Sequence, residues 1–180
     1  KKLAVIFPGV GLYLHQAPFY YTASMAAERG YEIIRLDYGQ DIHTFHGRTP
    51  AELEPIIKLA IKRTLPQLEN VPFSEYDDII FISKSIGTTI ACQLETALQL
   101  KGKVHQFLMT PIPSTSVISP YQRLFFAGTA DPYMPESKIR AAARNFPDKT
   151  GGIFEAATIL EQKGDTLGAL KNVRLIVECL

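Results

Sequence analysis

The stretch "IIFISKSIGTTIAC" (residues 79–92) contains a serine in a position suited to nucleophilic chemistry. Apolar and β-branched residues typical of a buried strand end at Ser83-Lys84-Ser85, and a run with helical spacing begins directly afterwards. A sharp turn from strand to helix would lift Ser85 out of a sheet and expose its hydroxyl in a cleft. The pattern therefore predicts a nucleophile that attacks a carbonyl carbon, although a serine before a helix is also a common N-cap.

Two backbone N–H groups are predicted to bind the oxyanion that such an attack creates. The N–H of Ile86 comes at the start of the predicted helix, where N–H groups have no partner within the helix. A second N–H is expected from "FPGVGL" (residues 7–12), the loop after the first predicted strand, because its glycines let the backbone approach a substrate closely. The same loop is also typical of a tight turn. Gly87 would allow the new helix to pass close to the strand.

A serine hydroxyl needs a base to become a nucleophile at neutral pH. His15 follows the glycine-rich loop and is therefore the candidate substitute base for Ser85, although a surface position is its simpler interpretation. Lys84 is adjacent to Ser85 in sequence, but adjacent side chains point in different directions. A pair of Ser85 and Lys84 is therefore not expected.

The other histidines and the cysteines do not indicate a metal site. His43 and His46 lie in a polar loop after the second predicted strand and lack a carboxylate partner in a clear register. His105 begins a strand and is expected at the opposite edge of the sheet. Cys92 and Cys179 lie in apolar contexts far apart in sequence, which indicates buried thiols in a reducing compartment. We expect no metal and no cofactor.

The elements that would position these residues alternate between strands and helices. Strands are predicted at 3–7, 31–38, 78–83, 104–110, 123–129 and 152–157, and helices at 17–29, 50–65, 86–100 and 135–146. The tail from residue 165 has helical spacing and also alternates like a strand. Strands without polar alternation, joined by helices, indicate a parallel sheet that is covered on both faces. We expect one domain (1–180), a three-layer α/β sandwich with a mostly parallel sheet of about six strands.

Composition and charge narrow the range of partners. The chain has 180 residues, of which 46% are hydrophobic, and a net charge of +1. This charge gives no electrostatic reason to expect nucleic acid or an anionic membrane as a partner. Pro8, Gly9 and Gly11 interrupt the apolar run near the start, which favours a strand and its loop over a signal peptide. We expect a cytoplasmic location and a small-molecule acyl substrate or ligand.

The order of the elements and three motifs resemble the α/β-hydrolase family in its small, lidless form. "SKSIG" stands where the family has its nucleophile elbow, "FPGVG" where it has its oxyanion loop, and "LFFAGTADPYMP" where it has its acid. By this resemblance Ser85 is the nucleophile, Asp131 is the acid, and Val10 and Ile86 supply the oxyanion N–H groups. Asp131 also fits the simpler reading of an Asp-Pro turn residue. Ser83 stands where the family usually has the first elbow glycine.

The family's histidine follows the last strand, but this chain has no histidine beyond His105. Aligning Leu160-Glu161 with the family's frequent His-Ser-Leu-Glu places Thr158 at the histidine position. Aligning Leu167 instead places Asp165 there. We prefer Thr158, because it directly follows the sixth predicted strand and leaves Asp165 to cap the last helix.

Two functions are consistent with this sequence. The first is a small serine hydrolase of the carboxylesterase or thioesterase type, in which Ser85 attacks an ester or other acyl bond. The second is a catalytically inactive protein of the same fold that binds an acyl or carboxylate ligand. The fold alone does not choose between them.

Overall fold

The apolar runs form the strands of one parallel sheet. The structure is a computed structural model that describes residues 1–10, 17–45, 49–115, 123–154 and 164–180. The strands are β1 (Lys2–Phe7), β2 (Tyr31–Arg35), β3 (Asp78–Lys84), β4 (Val104–Met109), β5 (Arg123–Gly128) and β6 (Thr150–Phe154). Their order is β2-β1-β3-β4-β5-β6, and all neighbouring pairs are parallel. The predicted fold class is confirmed.

Helices connect these strands and cover both faces of the sheet. They are α1 (Ala17–Glu28), α2 (Gln40–His43), α3 (Pro50–Leu68), α4 (Ile86–Ala97), α5 (Glu136–Asn145) and α6 (Thr166–Glu178). Phe19 of α1 and Ile176 of α6 share an apolar cluster on one face. Ile57 of α3 and Ile90 of α4 belong to the cluster on the other face. Among the described helices, none has the length and apolar character that crossing a bilayer requires.

Strand β3 is apolar throughout because both of its faces are covered. Ile80 and Ile82 belong to the cluster on the α1/α6 face, whereas Ile79 and Phe81 belong to the cluster on the α3/α4 face. Side chains alternate between the two faces of a strand. Lys84, the last residue of β3, is therefore directed to the α1/α6 face, as Ile82 is.

Side-chain caps fix the starts of two helices. Thr49 and Glu52 form a reciprocal capping box at the start of α3. Asp165 caps α6, where its carboxylate accepts a hydrogen bond of 2.8 Å from the N–H of Gly168. The tail is therefore a helix and not a strand.

Several bounds differ from the expectation: β2 ends at Arg35 and not at residue 38, and α4 ends at Ala97 and not at residue 100. Helix α3 was expected to end near Leu65, before Pro66, but it continues to Leu68. A proline removes only its own N–H bond, and the ladder resumes when the Glu69 N–H donates to the Leu65 carbonyl at 3.1 Å. The wholly buried Leu68 side chain anchors this last turn in the core. The polar loop expected at 39–48 contains the short helix α2.

Candidate active site

Ser85 lies in the turn between β3 and α4, in a strained backbone conformation. Its φ is 53° and its ψ is −123°, a region that residues with a side chain rarely adopt. Its N–H donates to the Met109 carbonyl at 3.1 Å, which fixes the turn against the end of β4. The Ser85 side chain makes no helix-capping hydrogen bond, so the structure does not support the N-cap interpretation. Among the described residues, its hydroxyl has no hydrogen-bond partner, and the residue is 6% exposed.

The start of α4 lies directly against the backbone that follows β1. A Cβ on Gly87 would be 2.2 Å from the carbonyl oxygen of Phe7 and 2.6 Å from that of Pro8. The absence of a side chain at Gly87 therefore brings the turn at Ser85 and the loop after β1 together. Strands β1 and β3 are neighbours at the point where the strand order reverses, which is where open parallel sheets bind ligands. Val10, half-buried in this loop, is placed on the same side of the molecule as the turn.

Four hydroxyl groups connect the first turn of α4 to the segment after β4. Thr88 donates to the Ser85 carbonyl at 2.6 Å, and its hydroxyl oxygen lies 2.6 Å from that of Thr115. The Thr89 hydroxyl lies 3.0 Å from that of Ser114. This network was not predicted from the sequence, although "GTT" after the turn and "PSTS" after β4 are signals for it. It holds the segment after β4 beside the Ser85 turn.

Asp131 follows β5 at the same edge of the sheet as Ser85. It is 7% exposed, and its carboxylate accepts a hydrogen bond of 2.9 Å from the N–H of Tyr133. Asp131 follows β5 and Ser85 follows β3, and β4 lies between these two strands in the sheet. The structure thus places the predicted nucleophile and the predicted acid at the carboxyl ends of β3 and β5.

Lys84 is a buried charged residue at this edge that the sequence analysis did not assign to the site. It is wholly buried, and burial lowers its pKa to about 8, while the charge of Asp131 acts in the opposite direction. Thr110, one residue beyond β4, has a φ of 46° and a hydroxyl without a partner among the described residues. A lysine at the end of an otherwise apolar strand was the signal that could have identified Lys84.

Neither of the two described histidines contacts Ser85. The His43 ring stacks on Tyr38 with 5.6 Å between ring centroids, and its Nε2 lies 3.2 Å from Asp37 Oδ1. His105 is the second residue of β4, at the opposite edge of the sheet, as predicted, where its Nε2 lies 4.0 Å from Asp78.

Two residues of the sequence-based site lie outside the described part of the chain. They are His15, the candidate substitute base, and Thr158, the residue preferred at the histidine position. His46 also lies outside it. The alternative residue at that position, Asp165, is the cap of α6. Within the described ranges, no three His, Cys, Asp or Glu side chains form a group that could hold a metal ion.

A cavity of about 370 Å³ is lined by residues of α3 and α4 and of the segments after β4 and β5, and Ser85 itself is not among them. Thr89, one helical turn beyond Ser85, lines one side of it, and Pro132, which follows Asp131, lines another. Most of its other side chains are apolar, which suits the apolar portion of a small ligand. The lining residues are Leu53, Glu54, Ile57, Lys58, Thr89, Gln93, Ile112, Pro113, Ser114, Pro132 and Tyr133.

No family model matches the chain, and no curated protein matches it. Solved structures of similar shape do exist. One is a proposed hydrolase of the alpha/beta superfamily from Xanthomonas campestris pv. campestris, with 15% identity and a TM-score of 0.69 over 99% of this chain and 98% of that chain. Another is an alpha-beta serine hydrolase homologue from Coxiella burnetii, with 14% identity and a TM-score of 0.65 over 99% of this chain and 85% of that one.

A third similar structure is Est1E from Butyrivibrio proteoclasticus with bound ferulic acid. It has 12% identity and a TM-score of 0.63 over 99% of this chain and 88% of that chain. Identities this low show a shared fold and not a shared activity. The strand order, the strained serine turn and these likenesses together show that the chain has the α/β-hydrolase fold.

Proposed function

We propose that the protein is a serine hydrolase that cleaves an ester or other acyl bond through Ser85. The observation that carries this proposal is the conformation of Ser85 itself. The chain holds a serine in a strained turn, with φ at 53°, at the carboxyl edge of the sheet, and it leaves the hydroxyl without a partner among the described residues. Such strain is retained where the surrounding structure enforces it, and it is concentrated at active sites.

The surroundings of Ser85 suit acyl transfer. Ser85 would attack the carbonyl carbon, and the N–H groups of Ile86 and Val10 would stabilise the oxyanion that forms. Ile86 is the first residue of α4, where N–H groups have no partner within the helix. The contact of Gly87 with the backbone of Phe7 supports a placement of the Val10 loop beside that N–H.

The cavity lined by Thr89 and Pro132 supports a substrate with an apolar acyl or aryl group. Its volume of about 370 Å³ is large enough for a short acyl chain or a single aromatic ring. Est1E, a structural neighbour, is known with ferulic acid bound, which is an aromatic acid. Aryl esters with short acyl chains are therefore suitable first substrates.

A second candidate is a protein that binds an acyl or carboxylate ligand without cleaving it. The observation that favours this function is the absence of a histidine beyond His105 in the sequence. Without triad members, the oxyanion site and binding alone leave roughly 10³–10⁴-fold catalysis over water. A site of this kind would still hold a carboxylate at the Ile86 N–H group.

Hydrolysis of 4-nitrophenyl acetate and 4-nitrophenyl butyrate tests the proposal. We expect turnover by the wild type, loss of turnover in Ser85→Ala, and no change in Ser24→Ala. The last variant is the matched control, because the Ser24 hydroxyl donates to the Tyr20 carbonyl within α1 and is not part of the proposed site. Turnover that survives Ser85→Ala would contradict the proposal. Saturable binding of butyrate without turnover would instead support the second candidate.

A further inference from the structure

A chain of hydroxyl groups leads from the Ser85 turn to the cavity of about 370 Å³. Its members are, in order, the hydroxyls of Thr88, Thr115, Thr89 and Ser114. Successive oxygens are 2.6, 3.1 and 3.0 Å apart. The first hydroxyl donates to the Ser85 carbonyl at 2.6 Å, and the last two residues line the cavity. The three threonines are buried, so water does not compete for these contacts.

The carbonyl at one end of this chain fixes the direction of each hydrogen bond in it. A carbonyl only accepts, so the single hydroxyl proton of Thr88 is directed to Ser85. Thr88 must therefore accept from Thr115, whose own proton is then in use. For the same reason Thr89 must donate to Thr115. Thr89 has only its oxygen left, and it accepts from Ser114.

Ser114 is left as a hydrogen-bond acceptor at the wall of the cavity. Its proton is directed to Thr89, and its oxygen accepts no hydrogen bond from the described part of the chain. A hydroxyl oxygen has two acceptor sites, and Ser114 is exposed and lines the cavity. The wall around it is largely apolar, as at Ile57 and Ile112. An apolar ligand that also carries a hydrogen-bond donor would therefore suit this cavity.

The charges at the cavity favour a neutral donor over an ammonium group. Among the described residues that line the cavity, the charged ones are Glu54 and Lys58. Glu54 Oε1 lies 2.7 Å from Lys58 Nζ, so the two charges compensate each other. A cationic ligand would have to compete with Lys58 for the carboxylate. A hydroxyl group needs no such exchange.

We propose that Ser114 is a specificity-determining residue that accepts a hydrogen bond from a hydroxyl group on the acyl part of the substrate. The preferred substrates are then esters of small hydroxy acids. Thr89 is a positioning residue, because it holds the Ser114 proton and turns the oxygen of Ser114 to the ligand. The inference rests on the proposed hydrolase function for the ester bond, and a protein that only binds its ligand would show the same preference for the hydroxyl group.

Binding of small carboxylates to the wild type tests this preference without catalysis and without substitution. Ligand-observed NMR titrations would compare butyrate with 2-, 3- and 4-hydroxybutyrate and with the methyl ether of each hydroxy acid. The ether keeps the oxygen but has no proton to donate. We expect one hydroxybutyrate to bind about 3–10-fold more tightly than butyrate and than its own ether, which is the usual net value of a neutral hydrogen bond. Equal affinities, or no binding of any hydroxy acid, would overturn the proposal.

Two variants separate the acceptor from the residue that orients it. In Ser114→Ala the hydroxy acid and its ether should bind equally, because the acceptor is gone. In Thr89→Val the Ser114 proton is released, so Ser114 can donate to the ether oxygen and the ether should gain affinity. Thr96→Val is the matched control on α4 and should keep the wild-type ratio, since its hydroxyl donates to the Cys92 carbonyl and neither residue is among those that line the cavity.

A folded Thr89→Val protein that keeps the wild-type ratio of the two affinities would overturn the directed chain of hydrogen bonds. Circular dichroism and a thermal melt identify variants that have not folded, and the wild-type titrations do not depend on them.

Turnover separates a failure of this inference from a failure of the hydrolase function. For the 4-nitrophenyl ester of the hydroxy acid that binds best, kcat/KM should exceed that of the butyrate ester by about 3–10-fold, mainly through KM. This ratio should disappear in Ser114→Ala. Ser85-dependent turnover without the ratio would overturn the inference and leave the hydrolase function in place. A hydroxyl preference in binding without any turnover would support the role of Ser114 and contradict the hydrolase function.

Discussion

Gly87 lies against the carbonyl oxygen of Phe7, so closely that a Cβ at this position would be only 2.2 Å from that oxygen. This contact joins the first turn of α4 to the loop after β1. Gly87 follows the strained turn at Ser85, and Phe7 precedes the expected oxyanion loop. The contact therefore sets how close the turn and the loop lie to each other. The elbow and the loop are thus one structural unit.

Substitution of Gly87 by alanine should destabilise the protein. The added methyl group forces the backbone of α4 away from Phe7, and overpacking of this kind costs about 3 kcal/mol. Gly102→Ala is the control, because its φ of +81° is strained for alanine but nothing lies within 4 Å of the added Cβ. We expect the control to cost about 1 kcal/mol in urea unfolding. Equal losses would contradict the close contact at Gly87.

The backbone strain at Ser85 should be measurable as stability. With φ at 53° and ψ at −123°, glycine is the residue that this turn prefers. We expect Ser85→Gly to be more stable than Ser85→Ala by about 1 kcal/mol, which is about 2–4 °C in Tm. At Ser24, inside α1, the same pair of substitutions should give the opposite order, because glycine weakens a helix. A Ser85→Gly variant that melts below Ser85→Ala would show that the turn is unstrained.

Burial of Lys84 should appear in the pH dependence of stability. Its pKa falls from 10.5 in the unfolded chain to about 8 in the folded protein. Between these values the unfolded state keeps a proton that the folded state has lost, so the contribution of Lys84 to stability rises with pH. Relative to Lys84→Met, the wild type should gain about 2 kcal/mol in free energy of unfolding between pH 7 and pH 9.5. If the free energies of unfolding of the two proteins differ by the same amount at both pH values, the pKa of Lys84 is not shifted by folding.

Much of the fold follows from local sequence patterns. A strand that is covered on both faces is apolar throughout, so β3 is expected to end where polar residues begin, at Ser83-Lys84-Ser85. Helical spacing begins directly afterwards, and the change between the two patterns locates the turn at Ser85. The cap at Asp165 follows from the chemistry of helix ends. The end of α3 was missed because burial of Leu68 outweighs the single hydrogen bond that Pro66 removes.

The contents of the site were harder to predict. The pKa of Lys84, for example, depends on the charge of Asp131, which lies 47 residues further along the chain. Thr110 has a φ of 46°, and β-branched residues rarely adopt positive φ values. Such features depend on tertiary contacts that the sequence does not display.

Restoring a histidine tests the alignment of the last loop. If Thr158 occupies the position of the family's histidine, Thr158→His should raise Ser85-dependent hydrolysis of 4-nitrophenyl acetate at pH 7 measurably. Full general-base assistance by the new imidazole would give a gain of about 10²-fold or more. Asp165→His is the matched control and should give no gain, since Asp165 caps α6. We expect this control to lose about 1 kcal/mol of stability. A gain in the control and none in Thr158→His would favour the alternative alignment.

Covalent labelling by a fluorophosphonate tests most directly whether Ser85 is a nucleophile. The probe forms a stable bond to an activated serine, and intact-mass and peptide analysis locate that bond. The account predicts one adduct on the wild type, placed on Ser85, none on Ser85→Ala, and wild-type labelling of Ser24→Ala. An adduct that persists on Ser85→Ala, or a wild type that stays unlabelled while butyrate protects it from thermal unfolding, would contradict a catalytic role for Ser85.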